Sequence, residues 1–288
     1  MKLGINLLCL TDFVTEAHLP MIERIKAEGY DGVEVPVLSG DPSHYARLGK
    51  QLDAMGLERC TTSIVPSPDL SPISEDPATR ARGREHLDWA LDCAIALGAQ
   101  SVGGPIHAPI GHFTGSGPTE SELSHGAEAH HALATRAAAN GIYLSLEHLN
   151  RFETYFLNTT AQCRDYARRV DHPACRIMYD TFHANIEDRD QVDAYEVVAP
   201  HVGIVHISEN DRGIPGRGHI DFLSILQAVR RSGYDGWVTL EAFGGGLPAI
   251  AAATRVWRPL FSDYETLFSE SADFIRSTWD AAGRDVAA

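Results

Sequence analysis

The stretch Ile142-Tyr-Leu-Ser-Leu-Glu-His-Leu-Asn-Arg-Phe-Glu153 drives an alternating apolar run into a dense cluster of charged and polar side chains. Ile142, Leu144 and Leu146 alternate with Tyr143 and Ser145, the two-residue period of a half-buried strand, and the pattern ends at Glu147. A core strand rarely finishes on Glu147, His148, Asn150, Arg151 and Glu153. One such ending is equally well read as a solvated strand end with a salt-bridged turn. Its recurrence further along the chain separates the two readings.

Towards the N-terminus, strands are expected over 2–8, 32–37, 60–65 and 101–105, and helices over 16–30, 42–55, 77–97 and 119–140. Gly29, Gly56 and Gly98 stand where helices stop. Towards the C-terminus, strands are expected over 176–180, 201–207 and 237–241, with helices over 160–170, 192–198, 222–232 and 262–279. Strands and helices alternate through the whole chain with no linker or low-complexity segment. That pattern predicts a single α/β domain over residues 1–288, a (β/α)8 TIM barrel rather than a doubly wound sheet. The run Phe243-Gly-Gly-Gly-Leu-Pro-Ala-Ile250 supplies a glycine hinge for a lid or for an ordinary loop.

Strands of such a barrel are parallel, so their C-terminal ends meet at one mouth. The fifth to eighth strands end on Glu147, Asp180, His206 and Glu241, each after an apolar run. Three carboxylates crowded at one place repel one another, and a divalent cation relieves that repulsion. Three carboxylate oxygens with one imidazole suit Mn²⁺, Mg²⁺ or Co²⁺, and zinc also fits.

The net charge of −15, with 24 basic against 39 acidic residues, argues against nucleic acid or an anionic membrane as partner and favours a small neutral ligand. Five scattered cysteines with no C-x-x-C spacing point to a reducing cytoplasm rather than a disulfide framework or structural zinc. Met1 to Leu10 is apolar, but Thr11 and Asp12 interrupt it, so a strand is expected there and not a signal peptide. Gly103-Gly104 and Gly244-Gly-Gly246 lack the G-x-G-x-x-G spacing of a dinucleotide fold, so no NAD is expected.

The segments Leu146-Glu-His-Leu-Asn-Arg-Phe-Glu153, Tyr179-Asp-Thr-Phe-His-Ala-Asn-Ile-Glu187, His206-Ile-Ser-Glu-Asn-Asp-Arg212 with Pro215-Gly-Arg-Gly218, and Trp237-Val-Thr-Leu-Glu-Ala-Phe243 resemble the ketose 3-epimerases of the D-tagatose and D-allulose 3-epimerase type. Val256-Trp-Arg258 extends the match. These enzymes have the xylose-isomerase-like barrel, and the resemblance is specific from about residue 140 onward. It implies Glu147, Asp180, His206 and Glu241 as metal ligands, Mn²⁺ being the first expectation with Mg²⁺ or Co²⁺ as alternatives. It further implies that Glu153, His183 and Arg212 grip the sugar oxygens, and that the chain forms a homodimer or homotetramer.

In that reading Glu147 and Glu241 approach one substrate carbon from opposite faces, one removing a proton and the other returning one. His107 and His112, in the loop after the fourth strand, are further candidates for substrate contact, whereas His148 should turn to the other side of its strand and pack outward. For Arg212 the plain alternative is an ion pair with Glu209 or Asp211. Where the family usually has aromatic residues after the first strand, this chain has Asn6, Leu7, Leu8, Cys9 and Leu10, which leaves the sugar open. Related enediolate chemistry remains the rival reading: aldose–ketose or hydroxypyruvate isomerisation, keto-inositol dehydration, or elimination from 3-keto-glycosides. A DNA-repair endonuclease on the same barrel would need a basic face, and a carbohydrate binder with a structural metal would show no turnover.

Overall fold

The computed structural model describes residues 1–286. Strands β1 Lys2–Asn6, β2 Gly32–Pro36, β3 Glu58–Thr62, β4 Ser101–Gly104, β5 Tyr143–Glu147, β6 Cys175–Asp180, β7 Val202–Ile207 and β8 Trp237–Leu240 close into a barrel. Each strand runs parallel to its neighbours in sequence, and β8 returns to β1 with Lys2 opposite Trp237 and Ile5 opposite Leu240. The helices are α1 Leu19–Ala27, α2 Pro42–Met55, α3 Pro77–Leu97, α4 Glu120–Ala138, α5 Thr160–Val170, α6 Thr181–Glu187, α7 Gln191–Val198, α8 Phe222–Arg231, α9 Pro248–Thr254 and α10 Tyr264–Val286. This is the α/β barrel that the alternation of elements predicts.

The strands are buried on both faces, not half-buried. Leu144 and Leu146 pack outward in the large core between strands and helices, while Ser145 is fully buried on the opposite face. Inside the barrel, Cys60, Met178, Ile204 and Trp237 form a separate apolar plug. Glycine makes room for it: a Cβ on Gly32 would meet Trp237 at 2.5 Å, and one on Gly103 would meet Met178 at 2.6 Å. Two residues on from the plug, the same inward face carries Asp180 after Met178 and His206 after Ile204. The fold therefore stacks an apolar floor beneath a polar mouth.

Several boundaries differ from the sequence reading for local reasons. β1 stops at Asn6 because its side-chain oxygen accepts the Leu8 N–H at 3.0 Å and turns the chain into a 3₁₀ segment, Leu7–Cys9. The helix expected over 16–30 divides into a 3₁₀ turn, Glu16–His18, and α1, which takes Pro20 into its first turn. β3 begins at Glu58 rather than residue 60, and α10 continues past Trp279. Helix α6 was not expected, because its N-cap is Asp180, the last residue of β6, and no turn residue separates strand from helix. Helix α9 follows the glycine run and puts Ile250, Ala253 and Thr254 into the wall of the mouth.

Candidate active site

Strands β5 to β8 bring Glu147, Asp180, His206 and Glu241 together, all buried, with one possible ligand atom from each within 4.8 Å of the others. His206 Nδ1 lies 3.4 Å from Glu241 Oε1, 3.7 Å from Asp180 Oδ2 and 3.9 Å from Glu147 Oε1. His206 Nδ1 and Asp180 Oδ2 have no hydrogen-bond partner although both are buried. Burial without a partner is unfavourable for either atom, and a divalent cation among these four groups satisfies both, with the oxygen-rich donor set that such ions prefer.

The electrostatics point the same way. Burial, and then the nearby Glu241, raise the Glu147 carboxyl well above the usual range. Burial also works to raise Glu241, but Arg212 and His206 together outweigh it and bring that group down to about 2. Burial alone would lower the His206 imidazole; Glu34 and Glu241 prevail and raise it well above its ordinary value. Positive charge is thus favoured where the four side chains converge.

Glu147 and Glu241 face a cavity of about 260 Å³ together with Glu153, His183 and Arg212. The Arg212 guanidinium lies between two rings, its carbon 3.7 Å from the centre of Phe182 and 5.0 Å from that of Phe243. Its Nη1 donates to Glu241 Oε2 at 2.5 Å and to Ser208 Oγ at 3.1 Å, and its Nη2 is 3.0 Å from His183 Nε2. Arg212 therefore pairs with Glu241 and not with Glu209 or Asp211; Asp211 pairs with Arg258 at 3.3 Å. The Arg212 backbone has a positive φ of 69°, held by a loop folded around the buried Glu209, which accepts the N–H groups of Asn210, Gly216 and Ile220.

Asn150 ties two other members of the wall together, donating from Nδ2 to Glu153 Oε1 at 2.8 Å and contacting His183 Nδ1. Burial holds His183 well below its usual pKa, so the ring is neutral, and burial raises Glu153. His107 is fully buried behind the end of β5, where its Nε2 is 2.8 Å from the Glu147 carbonyl oxygen and its ring stacks on Phe156. Burial takes its pKa down to about 3. It touches Glu147 rather than the cavity. His148 is buried against Tyr179 and His183.

Two residues that the sequence reading did not assign stand beside the cluster: Glu34, whose Oε2 is 3.1 Å from His206 Nε2, and Asn6, which bonds both Glu34 and Glu241. Glu34 interrupts the apolar run Val33-Glu-Val35 just before Pro36, a signal like that at Glu147 but followed by Pro36, Val37 and Leu38 rather than by further charged side chains. The outer wall is formed largely by Leu8, Leu38, Ile64, Ile110 and Leu149, with Asp12 at its edge, in place of the aromatic lining expected of the resemblance.

Fold and site together define a (β/α)8 barrel with a buried carboxylate–imidazole centre, suited to a divalent cation, at the floor of a small cavity. Residues 22–278 match the xylose isomerase-like TIM barrel family. The chain is 33% identical over 279 residues to a ketose 3-epimerase of Arthrobacter globiformis, covering 96% of both proteins. Its structure superposes on that of an L-ribulose 3-epimerase with a TM-score of 0.93 at 30% identity, covering 100% of this chain and 97% of the other. A D-allulose 3-epimerase from Methylomonas sp. in complex with D-allulose gives 0.89 at 29% identity, covering 96% and 97%. The chain belongs to the xylose isomerase-like TIM barrel family and, within it, to the ketose 3-epimerases.

Proposed function

We propose that this protein is a metal-dependent carbohydrate epimerase that inverts carbon 3 of a free ketose through an enediolate. The observation that carries the reading is the pair Glu147 and Glu241, buried at the ends of β5 and β8 with two strands between them and both facing one cavity. In this reading each serves a different face of the same carbon, so that one removes the proton and the other delivers its replacement. Glu147, Asp180, His206 and Glu241 would hold the cation, Mn²⁺ before Mg²⁺ or Co²⁺. When bound, it would polarise the carbonyl and stabilise the negative charge that develops on the sugar oxygens.

Around that centre Arg212 and His183 supply N–H groups to substrate oxygens, and Glu153, held by Asn150, accepts from a hydroxyl. His107 acts through Glu147, by hydrogen-bonding its backbone. Among the described residues facing the cavity, Arg212 is the single arginine or lysine and is already paired with Glu241, while the acidic Asp12 also faces it. A terminal phosphate would have no unpaired lysine or arginine among these residues to balance its charge, which supports a free sugar over a sugar phosphate. We further read residues 1–288 as one barrel domain acting as a homodimer or homotetramer. The five buried free cysteines are consistent with the cytoplasm.

The test is turnover of D-tagatose, D-fructose, D-allulose, L-ribulose and D-xylulose with Mn²⁺, followed by chromatography. The carbon-3 epimer of at least one should form. Aldose products alone, or no product from any of them, would remove the epimerase assignment.

A further inference from the structure

Glu34 is a wholly buried carboxylate on β2 with no part in the proton transfers. Its Oε2 lies 3.1 Å from Nε2 of His206, and its Oε1 accepts from Asn6 Nδ2 at 3.0 Å. The same amide nitrogen of Asn6 is 3.2 Å from Glu241 Oε1. These contacts form a hydrogen-bonded arc behind the mouth, running from His206 through Glu34 and Asn6 to Glu241, and so join two of the four clustered side chains from the rear. Because Glu34 accepts at Nε2, that nitrogen carries the proton. Nδ1, which lies within 4 Å of Glu147, Asp180 and Glu241 and has no other partner, is left to ligate.

We propose that Glu34 is a positioning residue for the metal centre: it decides which His206 nitrogen meets the cation and makes that nitrogen a stronger donor, while Asn6 extends the restraint to Glu241. A carboxylate oriented on the far nitrogen of a ligating imidazole does both, and losing it weakens metal affinity by about 10–100-fold. This inference rests on the metal-dependent reading given above. A merely structural Glu34 would tie β1, β2 and β7 together without touching affinity.

The experiment is calorimetric titration of Mn²⁺ into chelator-stripped, full-length protein, with thermal melts of the same metal-free samples. Wild type should bind, and Glu34→Gln, which keeps the shape, should bind about 10–100-fold more weakly with its metal-free melting point little changed. Binding within about threefold of wild type overturns the inference and leaves the metal-dependent reading standing. A lowered metal-free melting point with unchanged affinity overturns it as well. No binding by wild type removes both. Should Glu34→Gln not fold, Asn6→Ser, whose hydroxyl can still cap the turn at Leu8, takes its place. Weakened Mn²⁺ affinity in that variant supports the arc, and wild-type affinity overturns it.

Discussion

The backbone N–H of Asn150 and its side-chain amide both lie 3.0 Å from Nδ1 of His183. A ring nitrogen that faces two donors is an acceptor, so the neutral imidazole carries its proton on Nε2. There it stands 3.0 Å from Arg212 Nη2, which is also a donor. The backbone N–H is fixed by the chain and Nε2 has the Glu147 carboxylate 3.8 Å away on its own side, so the Asn150 contact sets the tautomer. An oxygen reached by both His183 and Arg212 satisfies both N–H groups. Long-range ¹H–¹⁵N spectra should show Nδ1 of His183 as the unprotonated nitrogen; a proton found on Nδ1 would contradict the assignment.

Asn150→Ser should separate clamp from turn. Asn150 Oδ1 accepts the Phe152 N–H at 2.9 Å, a cap that serine can also make, but serine cannot reach Glu153 and His183 with an amide. Turnover should fall by roughly tenfold with the melting point nearly unchanged, in keeping with loss of a positioning hydrogen bond. Unaltered kinetics would exclude Asn150 from the clamp.

Asp180 divides its two oxygens between fold and site. Oδ1 caps α6 by accepting the His183 N–H at 2.9 Å, and Oδ2 faces the cluster. Asparagine retains the cap but is a poor ligand, so Asp180→Asn should fold normally and lose most of its metal by elemental analysis. Full metal occupancy would take Asp180 out of the ligand set.

In D₂O the two-glutamate arrangement should place deuterium on carbon 3 of the product, because the acid that returns the proton is not the base that removed it. With Mn²⁺ supplied in excess so that the cation is still held, Glu241→Gln should stop epimerisation yet allow Glu147 to exchange the proton on its own face, labelling substrate without forming epimer. Glu147→Gln should label the opposite epimer only. Deuterium at carbon 1 and none at carbon 3 would assign an isomerase instead.

Acid should destabilise the fold through two histidines far from solvent. Burial lowers His107 from 6.5 to about 3 and His130 from 6.5 to about 4. Both folded-state values lie below the unfolded one, so the unfolded chain binds more protons between them. Stability is therefore complete above about pH 6.5 and is lost as pH falls towards 4 and then 3. His130→Gln should flatten the fall in melting point over the upper part of that window. A melting point independent of pH from 6.5 to 4 would refute the neutral buried state of both.

The sequence by itself determined the barrel and the membership of its cluster. Strand and helix periods are local properties, and parallel strands in a closed barrel must deliver their C-terminal residues to one mouth, so Glu147, Asp180, His206 and Glu241 were legible as a group. Helix limits were legible where caps are local, as at Pro42–Met55 and Pro77–Leu97, each ended by a left-handed glycine. Helix α6 was not, because Asp180 closes a strand and opens a helix at once.

Only the tertiary structure decided what surrounds the cluster. His107 follows a barrel strand like the others, yet its ring turns behind β5 to the Glu147 carbonyl, a direction set by packing on Phe156. Glu34 and Asn6 reach His206 and Glu241 across the barrel interior, from positions 172 and 235 residues away in the chain. No periodicity carries such contacts. They arise because barrel closure sets β1 beside β8 and turns the inward face of β2 towards β7, and each buried polar group then has to find its partner there.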